Sequence, residues 1–191
     1  MKLLLSSCDF RNENSAQSIY ENLPKPIDKC KVLYFPNEKS NEELINSGMY
    51  HARLNEFGFL TENVYVFNYW SPDKFFGLDI DVIYISGGNT FGTMKRIRES
   101  GADSAIISYV KGGAVYIGGS AGAHIASADI SHVQKYDTNT FGLCDHSGLG
   151  LFDGILICHF TEERRPHLEL LRKDSHIPVT PLTNDEYIVV Q

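Results

Sequence analysis

Seven short apolar runs punctuate the chain: 2–7 (KLLLSS), 31–36 (KVLYFP), 63–69 (NVYVFNY), 81–88 (DVIYISGG), 114–120 (AVYIGGS), 154–160 (GILICHF) and 186–190 (EYIVV). Near-continuous Val, Ile, Leu and Tyr is the pattern of strands covered on both faces. Between most of these runs lie segments with helix-like patterning, including 41–57, 90–110, 121–130 and 163–172. Alternation of strand and helix implies right-handed parallel crossovers. The pattern therefore predicts a three-layer α/β fold, with a mostly parallel central sheet and helices on both faces. No internal repeat, low-complexity tract or Pro/Gly-rich linker interrupts it, so 1–191 is expected to be a single α/β domain.

Composition narrows the partners. A chain of 191 residues with 42% hydrophobic content can bury a substantial core. The formal net charge is −7, and the basic residues are scattered or interleaved with acids, which argues against a nucleic-acid surface. No apolar run approaches the ~20 residues needed to span a bilayer. The opening MKLLLSSCDF lacks the longer apolar segment and small-residue cleavage site of a signal peptide. A cytoplasmic monomer or homodimer is expected, with no nucleic-acid or membrane partner. Cys8, Cys30, Cys144 and Cys158 show no C-x-x-C pairing and read as reduced thiols, Cys30 and Cys158 as small buried hydrophobes.

Candidate chemistry falls at the carboxyl ends of the predicted strands, where helix N-termini converge. Three loops there carry unusual residues, SGGNTF (86–91), GGSAGAH (118–124) and CHFTEERR (158–165), and they should face one cleft. In the second, Gly118-Gly119-Ser120-Ala121-Gly122 fits G-x-S-x-G, the turn that lifts a nucleophilic serine above a sheet. A competing reading makes Ser120 a helix N-cap in a Gly-rich turn. Free N–H groups of a helix starting near Ala121 would face the serine and could stabilise an oxyanion. Of the seven histidines, His159 closes a buried-strand pattern and would emerge at the same edge as Ser120. It is either a general base or a satisfied core histidine. His124 and His167 read as supporting or surface residues. No H-E-x-x-H and no close His/Asp/Cys cluster is present, so neither a metal nor another cofactor is expected.

The blocks YISGGNTF, GGAVYIGGSAGAHI and ILICHF resemble, in order and approximate spacing, the dipeptidase E family of serine peptidases, relatives of cyanophycinase. The likeness runs from about Lys2 to the C-terminus. It implies a fold similar to the class I glutamine amidotransferases, Ser120 as nucleophile, His159 as general base, and the N–H groups of Gly88 and Ala121 as oxyanion hole. Asn89 of the same loop would contact substrate. It also implies hydrolysis of short peptides through an acyl-enzyme, the founding activity being removal of an N-terminal aspartyl residue from dipeptides.

Two departures bear on that transfer. The family places an acid a little before a late hydrophobic strand, where PLTNDEYIVV has Asn184; the adjacent Asp185 and Glu186 are expected to supply the carboxylate, ahead of Asp137. Family members also hold a substrate carboxylate with an arginine downstream of the histidine. In the shorter HFTEERRPHLELLRK, Arg164 or Arg165 would take that role, or would pair with Glu162 or Glu163. Relatives tend to continue with a further hairpin beyond the strand that ends near Gln191. The same constellation would also suit an esterase or amidase acting on another acyl substrate, or a non-catalytic relative that binds a small molecule.

Overall fold

The computed structural model describes Met1–Gln191, and each of the seven apolar runs contributes a strand. In chain order the strands are β1 (Lys2–Ser6), β2 (Val32–Phe35), β3 (Val64–Val66), β4 (Val82–Ile85), β5 (Val115–Gly119), β6 (Ile155–Ile157), β7 (Val179–Pro181) and β8 (Tyr187–Val190). Six of them form one sheet in the order β3-β2-β4-β5-β1-β8, parallel throughout except for β8, which runs antiparallel to β1 at the edge. The run at 154–160 lies elsewhere: its strand β6 leaves the central sheet and pairs in parallel with β7, a strand the apolar pattern does not mark.

Period-two alternation divides the sheet into two buried faces. Leu3, Leu5, Leu33, Phe35, Ile83, Ile85 and Tyr116 point to one side. There they meet Met94 and Ile97 of α4 (Thr90–Glu99), Ile106 and Val110 of α5 (Ala102–Lys111) and Ile125 of α6 (Ala121–Ala126), the fourth, fifth and sixth helices of the chain. Leu4, Val32, Tyr34, Val82, Tyr84, Val115 and Ile117 point the other way, against Ile19 of α1 (Glu13–Asn22), Ile45 of α2 (Glu42–Asn46) and Tyr50 and Leu54 of α3 (Met49–Glu56). Each such side chain taken fully out of water contributes about 1.5–3 kcal/mol, so the two faces hold the three layers together. The last helix, α7 (Arg165–Asp174), packs Leu168 against Ile157 and Val179 of the small sheet.

Helix boundaries depart from the expected ones for local reasons. The segment 41–57 breaks at Gly48 and the segment 90–110 at Gly101, both left-handed, with φ of 80° and 70°. The segment 121–130 ends at Ala126, because Ser127 turns extended and bridges to Phe152. Side chains of Asn12, Asn41 and Asn89 accept backbone N–H groups and start α1, α2 and α4. No helix is long and apolar enough to cross a membrane. What the architecture delivers is one edge, at the carboxyl ends of β1, β4, β5 and β6, where four loops meet.

Candidate active site

Three non-glycine residues in the chain have positive φ: Asp9, Ser120 and His159, at 48°, 50° and 52°. All three lie at this edge. A non-glycine residue held there costs on the order of 1–3 kcal/mol and persists only where its surroundings over-determine it. Ser120 is held from both directions. Its N–H donates to the Ser6 carbonyl at 2.9 Å, and its carbonyl accepts from His124 N–H at 3.0 Å as α6 begins. The flanking glycines are required by close approach: a Cβ on Gly122 would collide with the Ile85 carbonyl, and one on Gly119 with the Asp9 carboxylate. Ser120 makes no side-chain cap bond to α6, which removes the N-cap reading.

The hydroxyl is instead engaged by the histidine. His159 Nε2 lies 2.9 Å from Ser120 Oγ, and its Nδ1 lies 2.7 Å from Asn184 Oδ1. The amide oxygen can only accept, so Nδ1 carries the ring proton and Nε2 presents its lone pair to the serine. The ring is anchored through its backbone: His159 N–H donates to Ser7 Oγ at 2.9 Å, and that hydroxyl donates to the Leu182 carbonyl at 2.9 Å. Behind it, Cys158 is fully buried, and burial pushes its thiol up to about 12, so it stays a neutral packing group.

Several expected residues stand elsewhere. Asp185 and Glu186 do not face the imidazole: Asp185 Oδ1 accepts from Asn12 Nδ2 at 2.7 Å, and Glu186 Oε2 accepts from Thr183 N–H at 2.7 Å. In the exposed turn before β8, Asn184 is the residue whose side chain meets the ring, while its two successors bond elsewhere, so the group at Nδ1 is a neutral amide. Asp137 accepts from Thr90 N–H at 2.8 Å, at the start of α4. Asn89 is committed as that helix's cap, accepting from Gly92 N–H at 3.0 Å and donating to the Thr138 carbonyl at 3.0 Å. Arg164 donates to the Cys158 carbonyl and lies 4.0 Å over the Tyr136 ring. Arg165 pairs with Glu162, the other reading allowed for it. Arg164 thus lies against Cys158 and Tyr136, and the half-exposed Arg165 against Glu162. On the loop after β4, Gly87 is the glycine that borders Ser120, while Gly88 packs against Asn37 and Glu38; Ala121, as the first residue of α6, has an N–H with no intrahelical acceptor.

His124 is buried beneath the turn. Its Nε2 accepts from Cys158 N–H at 3.3 Å, and its Nδ1 lies 3.4 Å from Thr90 Oγ1. Burial above all, then the neighbouring His132, His159 and Arg164, holds its pKa well below the ordinary imidazole value.

Sequence reasoning overlooked two acidic residues and one basic one at this edge. Asp9, fully buried, accepts from Ser86 Oγ at 2.7 Å and from Arg11 Nε at 3.1 Å. Glu38, buried under the SGGN loop, accepts from Asn89 N–H at 2.9 Å and Thr93 Oγ1 at 3.2 Å. The available signal for the first pair was positional. The run KLLLSS ends in the first loop of the same edge, beside the strand that carries Ser120.

Residues 2–191 match the peptidase family S51. Among curated proteins, an uncharacterized peptidase of Listeria monocytogenes is 31% identical over 118 residues, which span 58% of this chain and 57% of that protein. The peptidase E of Citrobacter koseri is 42% identical over 86 residues, 44% of this chain and 35% of its own. The match thus spans between about a third and little more than half of the length of these curated relatives. Among solved structures, a Listeria monocytogenes EGD-e protein assigned provisionally as a peptidase E superposes with a TM-score of 0.72 at 23% identity, covering 100% of this chain and 98% of that one. A peptidase from an acI-B1 actinobacterium gives a TM-score of 0.65 at 15% identity, with 100% and 83% covered. At such identities the structural likeness speaks for the fold.

Proposed function

This chain belongs to peptidase family S51, and from that premise we propose that it is a serine peptidase cleaving short peptides through Ser120, His159 and Asn184. The observation that carries the reading is the continuous relay from Asn184 Oδ1 through the His159 ring to the hydroxyl of a conformationally strained serine, 2.7 and 2.9 Å at its two links.

The chemistry follows from the proton positions. As Ser120 Oγ attacks the scissile carbonyl, His159 Nε2 takes its proton, and the carbonyl π electrons move onto oxygen, where the N–H groups of Gly88 and Ala121 receive the charge. The tetrahedral adduct collapses: its C–N bond breaks, His159 gives its proton to the departing amine, and an ester to Ser120 remains. Water then attacks that ester while His159 takes its proton. The C–Oγ bond breaks, Ser120 recovers a proton, and the acid product leaves. Asn184 fixes the tautomer and ring orientation throughout.

A small sulfonyl fluoride should add one label to the protein, and Ser120→Ala should abolish it. Incubation with a dipeptide library should release new amino termini only from the protein with Ser120 intact. Absence of labelling, or labelling that survives Ser120→Ala, would remove the nucleophile. Hydrolysis of blocked esters with no cleavage of free dipeptides would make the protein an esterase on the same machinery.

A further inference from the structure

Arg11 stands beside Ser120 with no role in the relay. It lies in the turn Asp9–Arg11 that follows β1, and the carboxylate of Asp9 holds it from below. Arg11 Nε donates to Asp9 Oδ1 at 3.1 Å and to the Cys8 carbonyl at 3.3 Å, and Nη2 to Asp9 Oδ2 at 3.5 Å. Nη1 donates to no group of the chain. The two partners differ in exposure: the Asp9 side chain is 0% exposed and that of Arg11 47%.

Gly87 locates the guanidinium relative to the nucleophile. A Cβ placed on Gly87 would stand 3.2 Å from Arg11 Nη2, 3.4 Å from Ser120 Cβ and 3.9 Å from Ser120 Oγ. The guanidinium and the hydroxyl thus border one small volume, roofed by the loop that carries Gly88. A buried carboxylate that also accepts from Ser86 Oγ at 2.7 Å fixes one edge of a planar fork and leaves the opposite edge toward solvent at the reacting group. That edge suits an anion with two coplanar oxygens. Arg164 and Arg165, the other arginines near the histidine, are engaged with Cys158, Tyr136 and Glu162.

We propose that Arg11 is a specificity residue that binds a carboxylate of the substrate, and that Asp9 is the positioning residue that aims it. The inference rests on the peptidase reading. A short peptide offers two such groups, an acidic side chain on the residue whose carbonyl is attacked and the C-terminal carboxylate, and the chemistry of recognition is the same for both.

The test reads binding without turnover. Ser120→Ala protein is titrated calorimetrically with Asp-Leu, Asn-Leu and the C-terminal amide of Asp-Leu. A charge-assisted, two-point contact corresponds to about 10- to 100-fold in affinity, so one of the two neutralised ligands should bind weaker than Asp-Leu by that factor. A weak Asn-Leu identifies the side chain, and a weak amide identifies the C-terminus. Adding Arg11→Gln should close the gap, and Arg11→Lys should leave part of it. Because Arg11→Gln strands a buried Asp9, the double change Asp9→Asn with Arg11→Gln is measured in parallel and should close the gap equally. The inference is overturned if the three ligands bind alike or not at all to the Ser120→Ala protein, or if the gap survives in either Arg11→Gln protein. Failure of the sulfonyl fluoride test would instead strike the peptidase reading and leave this comparison of affinities standing.

Discussion

Asn184 offers His159 an acceptor without a charge. A carboxylate at 2.7 Å from Nδ1 would fix the tautomer equally well, and it would also stabilise the imidazolium that forms when Ser120 gives up its proton. The amide does the first and only weakly the second. Asn184→Asp is isosteric and leaves the turn before β8 unchanged, so kcat for a cleaved dipeptide should rise on the order of 10-fold with little change in KM. Asn184→Ala should lower kcat by a similar factor, since the ring loses its orienting partner. Steady-state kinetics of the three proteins between pH 5 and 9 decide it: an unchanged kcat in Asn184→Asp would show that position 184 does not compensate the charge on the ring.

Tight backbone crossings set which changes the secondary elements tolerate. β5 and α6 meet the end of β4 so closely that a methyl on Gly122 would enter the Ile85 carbonyl, whereas Gly77, with φ of 75°, has nothing within 4 Å of a built Cβ. Gly77→Ala should therefore cost about 1 kcal/mol of backbone strain, a Tm loss of roughly 2–4 °C. Gly122→Ala must displace a strand or a helix and should cost more than about 4 kcal/mol, over 10 °C. Equal losses in thermal melts would contradict the crossing. The same contrast explains what could be read from the amino-acid order. Leu3, Leu4 and Leu5 announce a strand buried on both faces because alternation is local, and Gly118–Gly122 announces the serine turn because small residues are needed within five positions. Pairing is not local, so β6 could not be assigned to a separate sheet, and Gly48 and Gly101 gave no sign that their φ would be positive. Asn184, Asp185 and Glu186 could not be ranked, because a turn decides which of three adjacent side chains faces His159. Asp9 and Arg11 escaped notice for a related reason: their importance lies in meeting Gly119 and Gly87, more than 70 positions away.

Two opposing effects set how the whole molecule responds to acid. With 24 acidic and 17 basic side chains, the net charge is −7 at pH 7, so lowering the pH toward the pI relieves self-repulsion and by itself should stabilise the folded chain. The histidines under the site act the other way. Burial is the main cause that holds His124 well below the ordinary imidazole value, and burial likewise lowers His132, whose Nε2 lies 2.8 Å from the Leu156 carbonyl while its buried Nδ1 has no partner. A histidine with a depressed folded pKa stays neutral in the native state while its unfolded counterpart takes up a proton below about 6.5. Stability from these two rings is therefore complete above that pH and is lost as pH falls below it, by up to about 1.4 kcal/mol per pH unit for each ring. That exceeds what screened, dispersed surface charges return at physiological ionic strength. Tm should accordingly decline from pH 6.5 toward 5 despite the approach to the pI, and the decline should be shallower in His124→Gln, which keeps an acceptor for Cys158 N–H but cannot titrate. A Tm that rises across this interval in the wild-type protein would mean that net charge, and not the buried imidazoles beneath Ser120, governs its response to acid.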